Sequence, residues 1–249
     1  MVKREELDKQ VAKSLWIGDR LFPQHIISIN SFIQNGFEYN LYVYDDVKNV
    51  PSGVILCDAN EVIPKDEIWY YNSGFNKGSP SGFSNQFRFK ILYEYGGLWT
   101  DTDMVLMKPY NFHDKKYTLI SETNENGEVH PTTSLIFSES GTSSGKIWLE
   151  AIDNISYRNK VRVKHGETGP ELITYLVNKY NLEEYVLPPN AFCSVGWYET
   201  DKLIDGTQLS DDVIGIHLFD AQSSLNDIDK KTFPHVSIIE QLKRKYLNG

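Results

Sequence analysis

The sequence predicts an α/β fold with a mostly parallel central sheet. The main observation is a strand–helix–strand rhythm, in which short apolar runs at 11–18, 39–44 and 54–57 alternate with a helical segment at 24–35. Parallel strands need a crossover connection, usually a helix, between them. A second observation is the absence of a fixed repeat, a low-complexity tract or an evident linker, which favours one domain over an array.

Each early element has its own local signal. The first strand ends at Gly18, which predicts a turn, and Pro23 stands where a helix can begin. Helical spacing over 24–35 is carried by Ile26, Ile29, Phe32 and Ile33. Aspartates close the strand at 39–44, and a further strand follows at 54–57. Sheets of this kind bind nucleotides at the carboxyl ends of their strands.

Composition excludes several classes of protein. The net charge of −9 argues against a nucleic-acid surface, which needs clustered Lys and Arg. No stretch approaches the roughly 20 apolar residues that span a bilayer, and the basic start at 1–6 has no apolar run behind it, so it does not predict a secretory signal. Cys57 and Cys193 fit a reducing compartment. We therefore expect a cytoplasmic protein without a transmembrane segment.

Residues 82–95 are predicted to form a helix with one buried stripe. Apolar side chains recur there at three- and four-residue spacing, at Phe83, Phe87, Ile91, Leu92 and Tyr95. Gly96 and Gly97 would end the helix, because glycine takes the left-handed cap conformation without strain. Arg88 falls inside the stripe, where an unpaired charge is costly. Its guanidinium must either pair with a nearby acid or donate to a carbonyl within the protein, or contact a ligand.

Residues 98–106 are predicted to form a strand interrupted by two acids. If the strand stays extended, Asp101 and Asp103 point to the same face. Two adjacent carboxylates repel each other, and a divalent cation would relieve this repulsion. Mn²⁺ or Mg²⁺ accepts oxygen ligands and keeps positions for a diphosphate, whose growing negative charge it would stabilise. The sequence therefore predicts a metal at this pair.

A second Asp-x-Asp motif shows how little the motif says alone. Asp227-Ile228-Asp229 lies in a polar segment, which favours a solvated turn. The pair at 101 and 103 differs in its context, because a capped helix and a double glycine precede it and apolar residues flank it on both sides.

With that context, residues 84–103 resemble a glycosyltransferase family that is defined by a sugar-binding region containing a DXD motif. The family (family 32-like) includes α-1,4-galactosyl-, α-1,4-N-acetylglucosaminyl- and yeast-type mannosyltransferases, and it is distantly similar to the clostridial toxin glucosyltransferases. The hallmark of the family begins with Ser-Asp-x-x-Arg and a helix, and it continues with Gly-Gly, an aromatic residue and Asp-x-Asp. The first part corresponds to Ser84-Asn85-Gln86-Phe87-Arg88 in this sequence, and the second part to Gly96-Gly97-Leu98-Trp99-Thr100-Asp101-Thr102-Asp103. Weaker similarities occur at 15–18, 169–172, 188–198 and 214–219.

The resemblance implies a GT-A-type, Rossmann-like α/β/α sandwich that forms a single domain over 1–249. Residues 1–110 would bind the nucleotide-sugar and 111–249 the acceptor. The implied reaction transfers a hexose with retention of configuration, from UDP-galactose, UDP-N-acetylglucosamine or UDP-glucose to a glycan or polysaccharide. Mn²⁺ or Mg²⁺ would be the cofactor.

The resemblance also implies roles for particular residues. Asp101, Asp103 and His217 would ligate the metal. Arg88 would join the two aspartates as a catalytic residue and donate to a sugar hydroxyl. The nucleotide-sugar would contact Trp16, Ile17, Ser84, Asn85, Arg88, Trp99, Asp101 and His217. Judged without the resemblance, His217 and Trp16 are more typical of residues in the core than of residues in a binding site.

Two departures from the family pattern bear on specificity. Asn85 stands where members often have Asp, which leaves the donor sugar open, although an amide can both donate and accept hydrogen bonds. Phe219 replaces the usual Trp after the late histidine.

Two rival functions use the same residues. Haloacid-dehalogenase-type phosphohydrolases also use Asp-x-Asp after a strand, but near the chain start and followed by Gly-Thr, whereas Met104-Val105 follows here. A non-catalytic glycan- or nucleotide-binding module is the second rival, and the presence of both acids argues against it.

Two polar segments remain open in the sequence. The loop at 124–128 is either solvated or in reach of the acceptor. The basic end at 243–245 follows apolar residues, which predicts a docked helix or a peripheral contact with an anionic membrane.

Overall fold

The computed structural model describes residues 10–158, 160–220, 225 and 227–247, so the sequence expectation for the basic start at 1–6 lies outside the described residues. The central sheet contains β1 (Val11–Trp16), β2 (Glu38–Val43), β3 (Val54–Asp58), β4 (Gly97–Thr100), β6 (Tyr117–Thr123), β7 (Val129–Ser138) and β8 (Val186–Leu187). Two further strands, β5 (Met104–Leu106) and β9 (Gly215–His217), pair with each other outside this sheet.

The central sheet is mostly parallel, as predicted. Its strand order is β3-β2-β1-β4-β7-β6-β8. Strands β1 to β4 pair in parallel, and β8 is parallel to β6. Strand β7 is antiparallel to both of its neighbours, β4 and β6. The predicted α/β fold class is therefore confirmed, and β4 lies at the centre with its carboxyl end open to the site.

Helices cover both faces of the sheet. The helices are α1 (Pro23–Gln34), α2 (Ser81–Tyr95), α3 (Thr142–Ser156), α4 (Pro170–Tyr180), α5 (Pro189–Phe192) and α6 (Ile238–Tyr246). One core packs α2, α3 and α4 against the sheet, and the opposite core packs α1 and α5. Neighbouring residues of β4 alternate between them, with Trp99 in the first core and Leu98 in the second.

The first elements agree closely with their local signals. Helix α1 begins at Pro23, which suits the first helical position because its missing N–H has no partner there in any case. In α2, the predicted stripe is buried except for Tyr95, which is 48% exposed at the last turn. Arg88 is 4% exposed, so its predicted place inside the stripe is confirmed.

The predicted continuous strand over 98–106 is wrong. Residues 101–103 form a turn in which the Met104 amide donates to the Asp101 carbonyl (3.2 Å). Strand β4 therefore stays in the central sheet, whereas β5 leaves it and pairs antiparallel with β9. The two acids lie on a turn between two sheets, so strand alternation is not what directs them to a common face.

Positive φ angles favour glycine at both positions of the double glycine, and at Gly96 a close backbone contact adds to this preference. Gly96 has φ +59°, and a Cβ at this position would lie 2.8 Å from the backbone of Ser140. At Gly97, with φ +81°, a Cβ would lie 2.6 Å from Nζ of Lys13, which donates to the Gly96 carbonyl (3.0 Å). These contacts bring the end of α2 directly onto the start of β4 and so set the position of the acidic turn.

Gly96→Ala is expected to destabilise the protein more than Gly127→Ala. Both glycines have positive φ, but nothing lies within 4 Å of a Cβ at Gly127. The control, Gly127→Ala, therefore introduces only backbone strain. Gly96→Ala should lower the free energy of unfolding by about 1 kcal/mol more, because its Cβ also crowds the backbone of Ser140. Chemical denaturation measures both changes in the free energy of unfolding. Equal losses would show that the contact with Ser140 relaxes freely.

The basic end of the chain is a docked helix. In α6, Lys243 is 7% exposed and donates to the Lys231 carbonyl, and Lys245 donates to the Met107 carbonyl (3.0 Å). Tyr246 is buried in a third core beside β5 and β9. Within the described ranges, no helix has both the length and the apolar character needed to cross a lipid bilayer.

Candidate functional site

A cleft of about 600 Å³ opens beyond the carboxyl end of β4. Its floor carries the predicted Asp101, Asp103, Arg88, Asn85 and His217. The remaining walls come from the segment before α2, from β6 and β7, from the start of α4 and from Trp197. The fold thus brings five of the predicted site residues into one cavity.

The Asp101 carboxylate is held through one of its two oxygens. Its Oδ1 accepts from Trp99 Nε1 (2.9 Å) and from Arg88 Nη2 (2.9 Å). The backbone amide of Asp101 donates to the Ser134 carbonyl on β7 (2.7 Å), which anchors the turn to the sheet. The side chain remains 27% exposed to the cleft.

The Asp103 carboxylate is held in the same one-sided manner. Its Oδ2 lies 3.3 Å from His217 Nε2 and accepts from the backbone amide of Asp220 (3.0 Å). The Asp103 carbonyl accepts from the Leu218 amide (3.0 Å), so β9 is tied to the turn on both sides of His217. Each carboxylate therefore leaves one oxygen without a donor from the described part of the chain.

The two carboxyl groups have opposite pKa shifts. Burial raises the pKa of Asp101, and the neighbouring Arg88 guanidinium offsets this only in part. Burial acts on Asp103 as well, but the interaction with His217 overrides it and holds the pKa of this carboxyl well below its ordinary value. Since the negative charge of Asp103 contributes to the raised pKa of Asp101, a cation between them would favour the ionised form of both.

Residues in this arrangement fit a hard divalent cation. Asp101 and Asp103 line the same open cleft, each with one carboxylate oxygen that has no donor among the described residues, and carboxylates are the ligands that Mg²⁺ and Mn²⁺ prefer. Trp99, Arg88 and His217 hold the other sides of the carboxylates, as partners outside the ligand shell commonly do.

Arg88 is engaged by the protein rather than free. Besides Asp101, its guanidinium donates to the Thr133 carbonyl and, more weakly, to Ser84 Oγ (3.4 Å), and it lies 5.2 Å from the centre of the Trp99 ring. Of the two interpretations that the sequence left open, the structure has the salt bridge. The predicted contact between Arg88 and a sugar hydroxyl stays a prediction, since Arg88 also lines the cleft.

The other residues that were predicted to contact the nucleotide-sugar differ in how they lie relative to the cleft. Asn85 lines the cleft, where its amide donates to Thr168 Oγ1 (3.2 Å) and accepts from Thr133 Oγ1 (3.3 Å). Ser84 and Trp99 stand behind the cleft as partners of Arg88 and Asp101, and Trp99 is 1% exposed.

Trp16 and Ile17 are not among the side chains that line this cleft. Ile17 packs against the first core. The Trp16 ring lies 4.4 Å from the ring of His25, and His25 Nε2 lies 3.4 Å from the Asp220 carboxylate. Asp220 in turn donates its amide to Asp103, so Trp16 is linked to the acidic turn through two residues. The predicted role of Trp16 beside the base stays a prediction.

The cleft also contains residues that the sequence did not single out. Glu122 is 8% exposed at the end of β6, and its Oε1 lies 3.2 Å from Nε2 of His130 on β7. A single acid at the end of an apolar strand is the signal that could have revealed Glu122. Trp197 was noted only as part of a weak similarity, yet its half-exposed ring faces the cleft.

Two polar segments differ in their relation to the cleft. Asp227 and Asp229 are exposed, and Asp227 pairs with Lys230 (2.8 Å), which agrees with a solvated turn. In the loop at 124–128, Asn124 bonds within the loop to Glu128 and also lines the cleft.

Comparison with known proteins agrees with the site. Residues 24–125 match the family described as "Glycosyltransferase sugar-binding region containing DXD motif". No curated protein matches the chain. The structure is similar to one titled PaToxG glycosyltransferase, with 13% identity over 71% of this chain and 72% of that chain and a TM-score of 0.45. It is also similar to the glycosyltransferase GlyE of Streptococcus pneumoniae TIGR4, with 12% identity and a TM-score of 0.48.

The similarity to GlyE extends over 96% of this chain but only 60% of that one, so this chain spans about three fifths of the GlyE length. The family match covers the helix before the acidic pair, the double glycine and both acids, which are the residues that carry the resemblance in the sequence. That resemblance is confirmed over residues 24–125, which match the glycosyltransferase sugar-binding region containing a DXD motif.

Proposed function

We propose that the protein is a divalent-cation-dependent, retaining glycosyltransferase that moves a hexose from a UDP-sugar to a hydroxyl group of a glycan. One observation carries the proposal. Asp101 and Asp103 each use one carboxylate oxygen for protein donors and leave the other without a donor from the described residues, at the same cleft. This arrangement suits a cation that in turn holds a diphosphate.

The residues around the pair would divide the work. When bound, Mn²⁺ or Mg²⁺ would stabilise the negative charge that grows on the departing diphosphate. Asp101 and Asp103 would hold the cation. Arg88 would orient Asp101, and His217 would either orient Asp103, as its present contact suggests, or take the place of a third ligand. No protein nucleophile is assigned in this proposal.

Donor selection is proposed to involve Asn85. Its amide oxygen accepts from Thr133 and its nitrogen donates to Thr168, so both polar atoms are oriented before any ligand binds. An amide in place of the family's usual aspartate carries no charge and still offers a donor and an acceptor. UDP-galactose, UDP-N-acetylglucosamine and UDP-glucose are the candidate donors.

The acceptor is proposed to occupy the outer part of the cleft. Trp197 offers a half-exposed aromatic ring, which suits stacking against a sugar. Asn124 and His130 add polar groups on the opposite wall.

Donor hydrolysis tests the proposal directly. The protein is incubated with each of the three UDP-sugars and Mn²⁺, without acceptor, and free UDP is measured. We expect slow UDP release from at least one donor and its loss when the cation is chelated. Release of phosphate from phosphomonoesters would instead indicate a phosphohydrolase, and binding of UDP-sugar without turnover under any acceptor would indicate a non-catalytic module.

A further inference from the structure

Three ligand-type side chains from separate elements converge behind the acidic turn. Glu122 ends β6, Cys193 follows α5 and His217 ends β9. One ligand atom of each residue lies within 4.8 Å of the other two. The residues are 8%, 3% and 9% exposed, so the cluster is buried.

The imidazole of His217 supplies an independent sign of a missing partner. Its Nε2 faces Asp103, whereas its buried Nδ1 has no partner of ordinary hydrogen-bond geometry among the described residues, and the Cys193 thiol interacts with the same imidazole. A buried polar atom without a partner costs about 1–3 kcal/mol. Native structures tend to avoid this cost, so an orphaned ring nitrogen beside a thiol and a carboxylate suggests a ligand that is bound some of the time.

We propose that Glu122, Cys193 and His217 form a binding site for a zinc-type cation, which shares only His217 with the cation site at the Asp101–Asp103 pair. A thiolate, an imidazole and a carboxylate are the ligands that Zn²⁺ takes, and three protein ligands leave one position open. The thiolate sets this site apart, because soft sulfur ligands select zinc over Mg²⁺ and Mn²⁺, which prefer oxygen. The Cys193 thiol would release its proton to solvent as the cation binds.

The three ligand atoms need to move only slightly closer together to hold a zinc ion. Tetrahedral zinc with usual bond lengths places its ligand atoms about 3.3–3.7 Å apart. The present atoms lie within 4.8 Å of one another, so the contraction is at most about 1.5 Å. Rotations of the Glu122 and Cys193 side chains can supply this difference, since only one oxygen of Glu122 is used by His130. A cation can enter from either side, because Glu122 and His217 line the main cleft and Cys193 lines a second cleft of about 420 Å³.

Occupancy of this site would oppose the proposed reaction. His217 belongs to both groups, since its Nε2 contacts Asp103. Zinc bound at Nδ1 would place a second positive charge one imidazole ring away from Asp103, and repulsion between the two cations would weaken binding at the acidic pair. This regulatory consequence rests on the proposed function, whereas zinc binding itself does not.

Cobalt titration of the full chain tests the binding site without any turnover. Co²⁺ reports a thiolate ligand through its sulfur-to-metal charge-transfer absorption in the near ultraviolet. We expect the band in the wild type and in Cys57→Ser, which removes the other cysteine, half-buried on β3. The band should be absent in Cys193→Ser. A missing band in the wild type, or a band that follows Cys57, would overturn the proposal.

Glu122→Gln provides a second variant that keeps the thiol. Competition with a chromophoric chelator should show zinc affinity weakened by at least about 10-fold in Glu122→Gln, the loss that even outer-shell partners commonly cause. Circular dichroism checks that each variant is folded. Unchanged zinc affinity in a folded Glu122→Gln and a folded Cys193→Ser would refute the site.

The regulatory consequence has its own readout. If the protein hydrolyses a UDP-sugar in the presence of Mn²⁺, added zinc should slow UDP release by the wild type more than UDP release by Cys193→Ser. Each rate is taken relative to the zinc-free rate of the same protein. Equal inhibition would refute the antagonism. Absence of any turnover would instead count against the proposed function and leave the cobalt result to decide the zinc site.

Discussion

Replacing Asp103 with alanine is expected to lower Mn²⁺-dependent UDP release by about 10²- to 10³-fold, the loss that corresponds to several kcal/mol of charge stabilisation. The variant loses the carboxylate oxygen that no described residue occupies, and with it half of the proposed cation site. Asp103→Asn should lose activity to a similar degree, because an amide keeps the size and the acceptor for the Asp220 amide but not the charge. Released UDP is measured under saturating donor.

The second Asp-x-Asp motif supplies a matched control. Asp229→Ala changes an exposed acid in the same sequence pattern, so its rate should equal that of the wild type. Circular dichroism and the unfolding midpoint establish that each variant is folded. Wild-type turnover in a folded Asp103→Ala would refute the role of the acidic turn, and a comparable loss in Asp229→Ala would show that the assay does not discriminate.

Arg88→Ala is expected to have the largest effect on stability, at about 3–5 kcal/mol, which is the usual cost of breaking a buried ion pair from one side. Arg88 is 4% exposed and its removal leaves Asp101, the Thr133 carbonyl and the Trp99 ring without their cationic partner. Urea denaturation measures the free energy of unfolding.

Lys90→Ala is the control for position and charge on the same helix. Lys90 is partly exposed and lies 4.0 Å from Glu94, and such surface pairs contribute about 0–1 kcal/mol. A loss for Arg88→Ala no greater than that for Lys90→Ala would contradict the structural role of the buried guanidinium.

Local signals were sufficient for the first half of the fold. Pro23 at a helix start, the apolar stripe of α2 and the double glycine each act on neighbouring residues, so their consequences can be derived without knowing distant partners. The parallel pairing of β1 with β2 also follows from local signals, because the predicted helix α1 forms the crossover between them.

The acidic turn could not be predicted in the same way. Residues 98–106 have a strand-like composition throughout, but β5 leaves the sheet because its partner is β9, which lies far along the chain. No local pattern encodes that pairing. Asp101 and Asp103 both line one cleft, and a turn rather than an extended strand brings them there.

Partners of buried polar groups also depend on the tertiary fold. The position of Arg88 inside the stripe predicted that it needs an acceptor, but not that Asp101 and Thr133 would provide it. Glu122 and Cys193 gave no motif at all, since each belongs to a different element and meets His217 only in the folded chain.

A crystal of the protein soaked with Mn²⁺ and UDP tests the central claim most directly. The anomalous signal of manganese should appear between the carboxylates of Asp101 and Asp103, in contact with the diphosphate of UDP. A cleft in which UDP is bound while both carboxylates remain without manganese would contradict it.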